Sequence, residues 1–276
     1  MTASMRTRTL LINILLAAGA MIMLLPFAWM LSLSVKEEHE IFTSDLRFFP
    51  ERWDWTNYLE AFTTGHVGTF LVNGVIVTLA ILALQILTIV PAAYVLARKD
   101  FRLKPLMFAV VLAVLLIPPQ VTAIPVYLMI AQANLLDSYA ALIVPFATSA
   151  FGIFLLRQGF RTLPQDLIDA ARMDGAGEFY ALWFILVPQL LPMIAAFGVF
   201  SIVVHWNDFF WPLLVITRIE RATPPLGISI FASDEGGNDV GPMMASATLI
   251  VMPLMLAFLI ARRRFVEGVT LSGLKG

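Results

Sequence analysis

Six long stretches of this chain carry no Asp, Glu, Lys or Arg, with His205 the one side chain among them that titrates near neutral pH: 10–34, 68–97, 105–131, 138–156, 179–207 and 240–261. About 20 apolar helical residues cross the roughly 30 Å hydrocarbon core of a bilayer, so each stretch is a candidate span. Backbone groups in hydrocarbon must bond within their own segment, so each reads as a helix. Composition agrees, with 59% hydrophobic and 13% charged residues, against roughly 45–50% and 25% in soluble domains. The predicted fold class is therefore all-α and polytopic, with six transmembrane helices. The first stretch follows Arg6 and Arg8 as a signal peptide would. It exceeds the 7–15 apolar residues of a signal and ends in Leu31-Ser32-Leu33-Ser34 without a clear cleavage site, so it is expected to be retained.

The Lys/Arg distribution orients the bundle. Thirteen of the eighteen lie on one side: the N-terminus, the 98–104 loop, the 157–172 segment and the tail from Arg262 to Lys275. The positive-inside rule puts both termini in the cytoplasm, as an even number of spans requires. The expected organisation is a cytoplasmic N-terminus (1–9), a first helix (10–34), an outer loop (35–67), a membrane core (68–261) and a cytoplasmic tail (262–276). The core includes an inner segment, 157–178, and an outer one, 208–239. The stretch from Phe209 to Thr217 is too short to span and is expected at the outer interface or dipping in beside other helices. The loop 36–67 holds seven acids and three bases, with Trp53, Trp55 and Tyr58 near its end; a solvated loop with an interfacial aromatic belt accounts for them.

The inner segment carries the most information. Thr162-Leu163-Pro164-Gln165 reads as a helix start, with Thr162 as N-cap, Gln165 as its capping-box partner and Pro164 in the first turn. A short helix is expected from Asp166 to Met173, with Leu163, Leu167, Ala170 and Ala171 on one face. Asp174-Gly175 then supplies a stop, Gly175 being able to take positive φ. A second helix is expected from near Ala176 into the fifth span. Exposed Ala170, Ala171 and Gly175 would let another backbone approach closely. Three acids, Asp166, Asp169 and Asp174, against one base, Arg172, argue against a helix lying on anionic lipid.

Several chemistries are excluded or disfavoured. There is no cysteine, hence no disulfide, thiolate metal site or cysteine nucleophile. No Gly-x-x-x-x-Gly-Lys-Ser/Thr cradles nucleotide phosphates, no His-Glu-x-x-His binds a metal, and no Gly-x-Ser-x-Gly marks a nucleophile elbow. His39, His66 and His205 are scattered. A net charge of −1 supplies no field for nucleic acid. Acids and bases are absent from the spans, which argues against a proton- or ion-coupled carrier. Asn73, Gln85, Gln120 and Gln189 remain candidates for a polar path, and the span prolines are expected mainly to kink helices.

Asp169-Ala170-Ala171-Arg172-Met173-Asp174-Gly175-Ala176, followed by Ile185-Leu186-Val187-Pro188, resembles the EAA signature of ATP-binding-cassette (ABC) importer permeases. That signature is Glu-Ala-Ala, a Gly, then Ile-x-Leu-Pro ten residues on; here Asp169 stands for Glu and Val187 for Leu. Trp55-Thr56-Asn57-Tyr58, Asn73, Ala93-Tyr94-Val95-Leu96-Ala97-Arg98, Ile124-Pro125-Val126-Tyr127 and Trp206-Asn207-Asp208-Phe209 resemble the carbohydrate-uptake branch. The tail from Gly268 is similar to that of the smaller membrane subunit of maltose importers. The resemblance implies a type I ABC importer permease fold in a bacterial inner membrane, with the first helix peripheral and the other five forming the core. It implies a coupling segment of Asp169, Ala170, Ala171, Asp174, Gly175, Ala176, Ile185 and Pro188 against a cytoplasmic ATPase dimer. ATP and Mg would sit on that ATPase, with no cofactor on this chain. It further implies a second permease subunit and an extracytoplasmic sugar-binding protein touching Leu226, Gly227, Asp234, Gly236 and Gly237. The alternatives are the same machine carrying a polyol, glycerol phosphate or an amino acid, or a stand-alone channel or facilitator; a scaffold or enzyme ranks below these.

Overall fold

A bilayer-spanning chain satisfies its backbone by helix, and the computed structural model, which describes residues 3–43, 47–234 and 239–272, is helical throughout its apolar stretches. Among the described residues there is no strand. Among the described residues, two helices are long and apolar enough to cross a bilayer unbroken: α1 (Ala3–Leu33), over Arg8–Leu33, and α4 (Val67–Arg98). Between them lie the short α2 (Glu38–Ile41) and α3 (Thr56–Thr63).

The expectation of one helix per stretch fails at three of the six. The 105–131 stretch divides into α5 (Lys104–Leu115) and α6 (Pro119–Gln132), bent by 103°. The 138–156 stretch becomes α7 (Tyr139–Ile143), a 3₁₀ turn (Val144–Phe146) and α8 (Ala150–Thr162), bent by 41°. After α9 (Gln165–Met173), the 179–207 stretch becomes α10 (Glu178–Tyr180), a π-helical turn (Ala181–Leu186), α11 (Val187–Gln189) and α12 (Leu191–Trp206), with an 81° bend before α12. Prolines accompany every break: Pro118 and Pro119, Pro145, then Pro188 and Pro192. Each lacks an N–H and its ring crowds the carbonyl four residues back. The chain ends with α13 (Phe210–Val215), α14 (Pro224–Asp234) and α15 (Val240–Ser272), whose described apolar part is Val240–Leu256.

The chain divides into two compact units. The first holds residues up to Gly68 together with Gly227–Pro253. In it, none of the apolar window of α1 is buried, as suits a helix bathed in lipid. Polar side chains tie the end of α1 to α3. Asn57 Nδ2 donates to the carbonyls of Ser34 (3.2 Å) and Lys36 (2.9 Å), and the Ser34 and Tyr58 hydroxyls lie 2.9 Å apart. Lys36 is buried, donates to the Arg47 carbonyl and sits 5.0 Å over the Trp29 ring.

The second unit holds Thr69–Leu226 and the chain beyond Leu254. Its core joins α4 (Ile89, Val90, Tyr94), α8 (Leu156, Phe160), α9 (Ile168), the π turn (Leu182, Leu186) and α12 (Ile194, Phe197). Gly152 and Gly159, two turns apart on α8, share the face that makes this packing close. A Cβ on Gly152 would sit 2.8 Å from both Ile89 Cδ1 and Phe197 Cε2, and one on Gly159 2.5 Å from Met193 Sδ. Replacing Gly152 with Leu is therefore expected to cost about 2 kcal/mol or more of stability through overpacking. Thermal unfolding of the detergent-purified chain reads this, and an unshifted midpoint would mean that α8 does not pack as described.

Candidate functional site

The site is built where the Lys/Arg-rich loops of the second unit meet. Thr162 is the last residue of α8, not the cap of the next helix, and its Oγ1 donates to Gly159 O at 2.8 Å. Pro164, in extended conformation (φ −60°, ψ 140°), precedes α9 instead. The capping box is thus overturned: α8 runs past the end of the apolar stretch and takes Thr162 with it. The side chain of Gln165 turns to Asp169 Oδ1 (3.2 Å) and accepts from Arg98 Nη1 (3.3 Å).

The far end of α9 stops as expected. Gly175 adopts φ +78°, Gly175 N–H donates to Arg172 O (3.0 Å) and Ala176 N–H to Ala171 O (2.9 Å). These are the two bonds of a Schellman motif, whose left-handed position favours glycine because it has no Cβ.

Two consecutive residues at the end of α4 bond on either side of α9. Arg98 donates from Nε to Phe160 O (2.9 Å) and from Nη2 to Leu163 O, fixing the α8–α9 elbow. Lys99 pairs with Glu178 just beyond Gly175. The hydrogen bond and charge of Lys99 hold the Glu178 carboxyl below the usual range. Arg157 adds a bond from Nε to Leu96 O (3.1 Å), and its guanidinium lies 3.6 Å over the Phe108 ring. Against this frame Ile168 and Ala171 turn inward, both 4% exposed. Ala171 is therefore not available to a partner, contrary to expectation; it packs α9 onto its own chain.

Asp166, Asp169, Ala170, Asp174 and Gly175 are exposed, and no atom comes within 4 Å of where a Gly175 Cβ would be. Ala176 and Ile185 are half-buried, Ile185 on the π turn, and Pro188 is exposed. Sequence reasoning missed Met173, which is 84% exposed at the centre of the outward face. Its position one turn after Asp169 and Ala170 was the available signal. Arg98 and Lys99 were missed as clamps: Lys99 read only as an orienting charge, and Arg98 as that and as the end of a family-like stretch.

The binding-protein residues fare differently. Leu226 and Gly227 are buried in the chain itself, so neither is open to a partner, contrary to expectation. Packing of the segment before α14 explains it: Asn73 Nδ2 donates to Glu220 O and Ala222 O (both 2.9 Å), and a Cβ on Gly74 would lie 2.6 Å from Pro224 Cγ. Asp234 ends α14, its side chain outside the described ones; Gly236 and Gly237 lie outside the described residues. The short apolar stretch forms α13, with Trp211, Pro212 and Val215 buried. Asp137 secures the chain just after α13, accepting from Thr217 N–H (2.6 Å), Thr217 Oγ1 (2.7 Å) and Arg218 N–H (3.0 Å). Those bonds, the Thr217 N–H first, hold its carboxyl below the usual range.

Of the candidate path residues, Gln85 and Asn73 are buried and serve as internal ties, while Gln120 and Gln189 are exposed. Gln85 donates to Phe146 O (3.1 Å) and accepts from Ser201 Oγ (2.6 Å), and Thr88 Oγ1 donates to Ala147 O (2.8 Å). Side chains of α4 thus satisfy the carbonyls released where α7 and α8 part.

Residues 89–270 match the family model described as binding-protein-dependent transport system inner membrane component, a match that includes the whole clamp. The chain is 31% identical over 259 residues to the diacetylchitobiose uptake system permease protein NgcG of Streptomyces coelicolor, spanning 93% of this chain and 85% of that one. It is 30% identical to the arabinooligosaccharides transport system permease protein AraQ of Bacillus subtilis, over 93% and 92%. It is 30% identical to the sn-glycerol-3-phosphate transport system permease protein UgpE of Yersinia pestis, over 93% and 94%. Its fold matches a chain of a bacterial ABC transporter involved in import of the acidic polysaccharide alginate, with TM-score 0.84, 21% identity and coverage of 96% and 99%. The chain belongs to the binding-protein-dependent transport system inner membrane components, permease subunits of ABC importers, and is a transport component rather than an enzyme.

Proposed function

We propose that the chain is one half of the membrane pathway of an ATP-driven saccharide importer, worked through α9. The reading rests above all on one observation: Arg98 grips the elbow that leads into a short helix whose other face stands open. Such a helix transmits a push to α4, α8 and the π turn together. A chain without a nucleotide site needs that push from outside itself.

In this reading six spans cross the cell membrane with both termini in the cytoplasm; 10–34 is peripheral and 68–261 is the core. Asp169, Ala170, Met173, Asp174 and Gly175 face a cytoplasmic ATPase dimer that holds ATP and Mg. Ala171, Ala176, Ile185 and Pro188 support that surface from behind. A second permease subunit completes the pathway, and a solute-binding protein docks outside against the residues around 234–237. Saccharide as the solute rests on the named solutes of NgcG and AraQ. A phosphorylated polyol is the second reading, favoured by UgpE.

The absence of cysteine makes the test clean. With Asp174→Cys, an impermeant maleimide is expected to label only opened cells, and a short cross-linker to join the chain to the ATPase. Glu51→Cys is expected to label in intact cells. The reverse labelling pattern overturns the orientation, and an Asp174→Cys variant that cross-links to nothing overturns the docking. Uptake of labelled arabinotriose and diacetylchitobiose against sn-glycerol 3-phosphate decides the solute.

A further inference from the structure

We propose that Arg157 and Arg161 of α8, with Arg102 and Lys104 where α5 begins, bind the phosphate of an anionic phospholipid whose acyl chains lie along α5. The inference goes beyond transport, and takes from the reading above only the level of these residues at the inner edge of the membrane.

Arg157 directly follows the apolar stretch 138–156, and Lys104 directly precedes the stretch 105–131, so both stand at the boundary of the hydrocarbon. Aromatic contacts join α5 to α8 there. The Phe108 and Phe154 rings stack at 6.4 Å and 14°, and the Arg157 guanidinium lies 3.6 Å over Phe108. One turn further from the hydrocarbon come Lys104 on α5 and Arg161 on α8.

The positive charge gathered here is not balanced within the chain. Arg157 commits Nε to Leu96 O (3.1 Å), and among the described residues its two Nη groups have no acceptor. Arg102 and Arg161 are exposed, and among the described residues neither side chain forms an ion pair. Lys104 pairs with Asp100 (3.2 Å), which leaves three arginines without a counter-charge. Arg157 and Arg161 lie four apart on one helix, where like charges repel. Burial, and then the charge of Arg161, lower the Arg157 guanidinium below its ordinary pKa. No side chain caps the N-terminus of α5, so the positive end of its dipole adds to the same field. An anion with several oxygens relieves all three effects, and a guanidinium meets phosphate oxygens two at a time.

The apolar half of the site is on α5. Leu106, Val110 and Val114, four apart, are exposed and carry a stripe from Lys104 into the membrane. Basic groups at the boundary with an apolar stripe above them fit one phospholipid, headgroup below and chains above. A free phosphate ion or an acidic protein segment would match the bases and leave the stripe unused.

The test is native mass spectrometry of the full chain in neutral detergent, with phosphatidylglycerol, phosphatidylethanolamine and inorganic phosphate as probes. Phosphatidylglycerol is expected to be held roughly tenfold more tightly than phosphatidylethanolamine, and Arg161→Gln and Arg157→Gln are each expected to lose most of that preference. Arg161 is exposed and its side chain bonds to nothing in the described chain, so its variant keeps the fold. Arg52→Gln, which removes the same charge from the 36–67 loop, is expected to change nothing. In nanodiscs of the assembled importer, phosphatidylglycerol with a photoreactive acyl chain is expected to label α5. Equal retention of the two lipids, or a preference undiminished in Arg161→Gln, overturns the site. Displacement of the lipid by inorganic phosphate overturns it in favour of a free anion. Absence of label on α5 overturns it in favour of a partner subunit over the stripe. Retention is read without ATPase or solute, so a failure of saccharide uptake sinks the transport reading alone.

Discussion

Replacing Gly175 with Val is expected to reduce ATP-coupled uptake roughly tenfold or more while the chain still reaches the membrane in normal amount. The backbone is the reason. Gly175 holds φ +78°, and a residue with a Cβ pays about 1–2 kcal/mol there, which corresponds to roughly a tenfold shift away from the turn. Nothing in the chain lies within 4 Å of the new Cβ, so packing is undisturbed and insertion survives. What is lost is the angle at which α9 stops and α10 begins, together with the bonds from Gly175 and Ala176 back to Arg172 and Ala171. Gly177 is the internal control. It too has open space around it, but its φ is −65°, where any residue fits, so Gly177→Val is expected to keep uptake within about twofold. Gly175→Asn separates conformation from size, because Asn tolerates the left-handed region. If it restores uptake, the turn is the requirement; if it fails as Val does, the ATPase groove has no room for a side chain. Full coupling in the Val variant would remove α9 from the mechanism.

Why Gly175 was legible and the broken spans were not is a matter of range. The Schellman stop is local: nine residues of helix followed by Asp-Gly contain all the groups that make it. A proline is also local, yet its outcome is not. Pro26, Pro91, Pro125 and Pro253 sit inside continuous helices, whereas Pro118, Pro145 and Pro188 mark breaks or bends. A break in hydrocarbon persists only when the released carbonyls find other donors. For Phe146 and Ala147 those donors are Gln85 and Thr88, about 60 residues earlier. No window of sequence around Pro145 contains them. The same holds for Arg98, visible as an orienting charge but not as a donor to carbonyls 62 and 65 residues on. The burial of Leu226 likewise depends on a distant close approach at Gly74 in the residues just before it. Apolar length and turn chemistry are read from neighbours, and clamps are read only from the fold.

Arg98→Ala is expected to uncouple the importer, leaving ATP hydrolysis that no longer responds to solute and uptake reduced more than tenfold. The guanidinium supplies the donors for Phe160 O and Leu163 O and reaches Gln165 Oε1 at 3.3 Å. A hydrogen bond to a charged group contributes about 1.5–3 kcal/mol, and the half-exposed position of Arg98 discounts the sum to about 2–4 kcal/mol for the elbow as a whole. That energy holds α9 to α4. Without it the helix keeps its apolar seat through Ile168 but is free to rock, so a push from below is absorbed at the elbow. Lysine does not substitute, since one ammonium lacks the fork geometry that meets two carbonyls at once, so Arg98→Lys is expected to fall nearer Ala than wild type. Lys99→Ala is expected to do far less, within about threefold, because its pair with Glu178 is exposed and screened by solvent. Hydrogen exchange over residues 162–171 gives the direct readout, with faster exchange expected in Arg98→Ala and unchanged exchange in Lys99→Ala. Equal exchange in all three proteins would mean that α9 is held by its apolar seat alone, and the clamp would no longer explain how the push reaches the membrane.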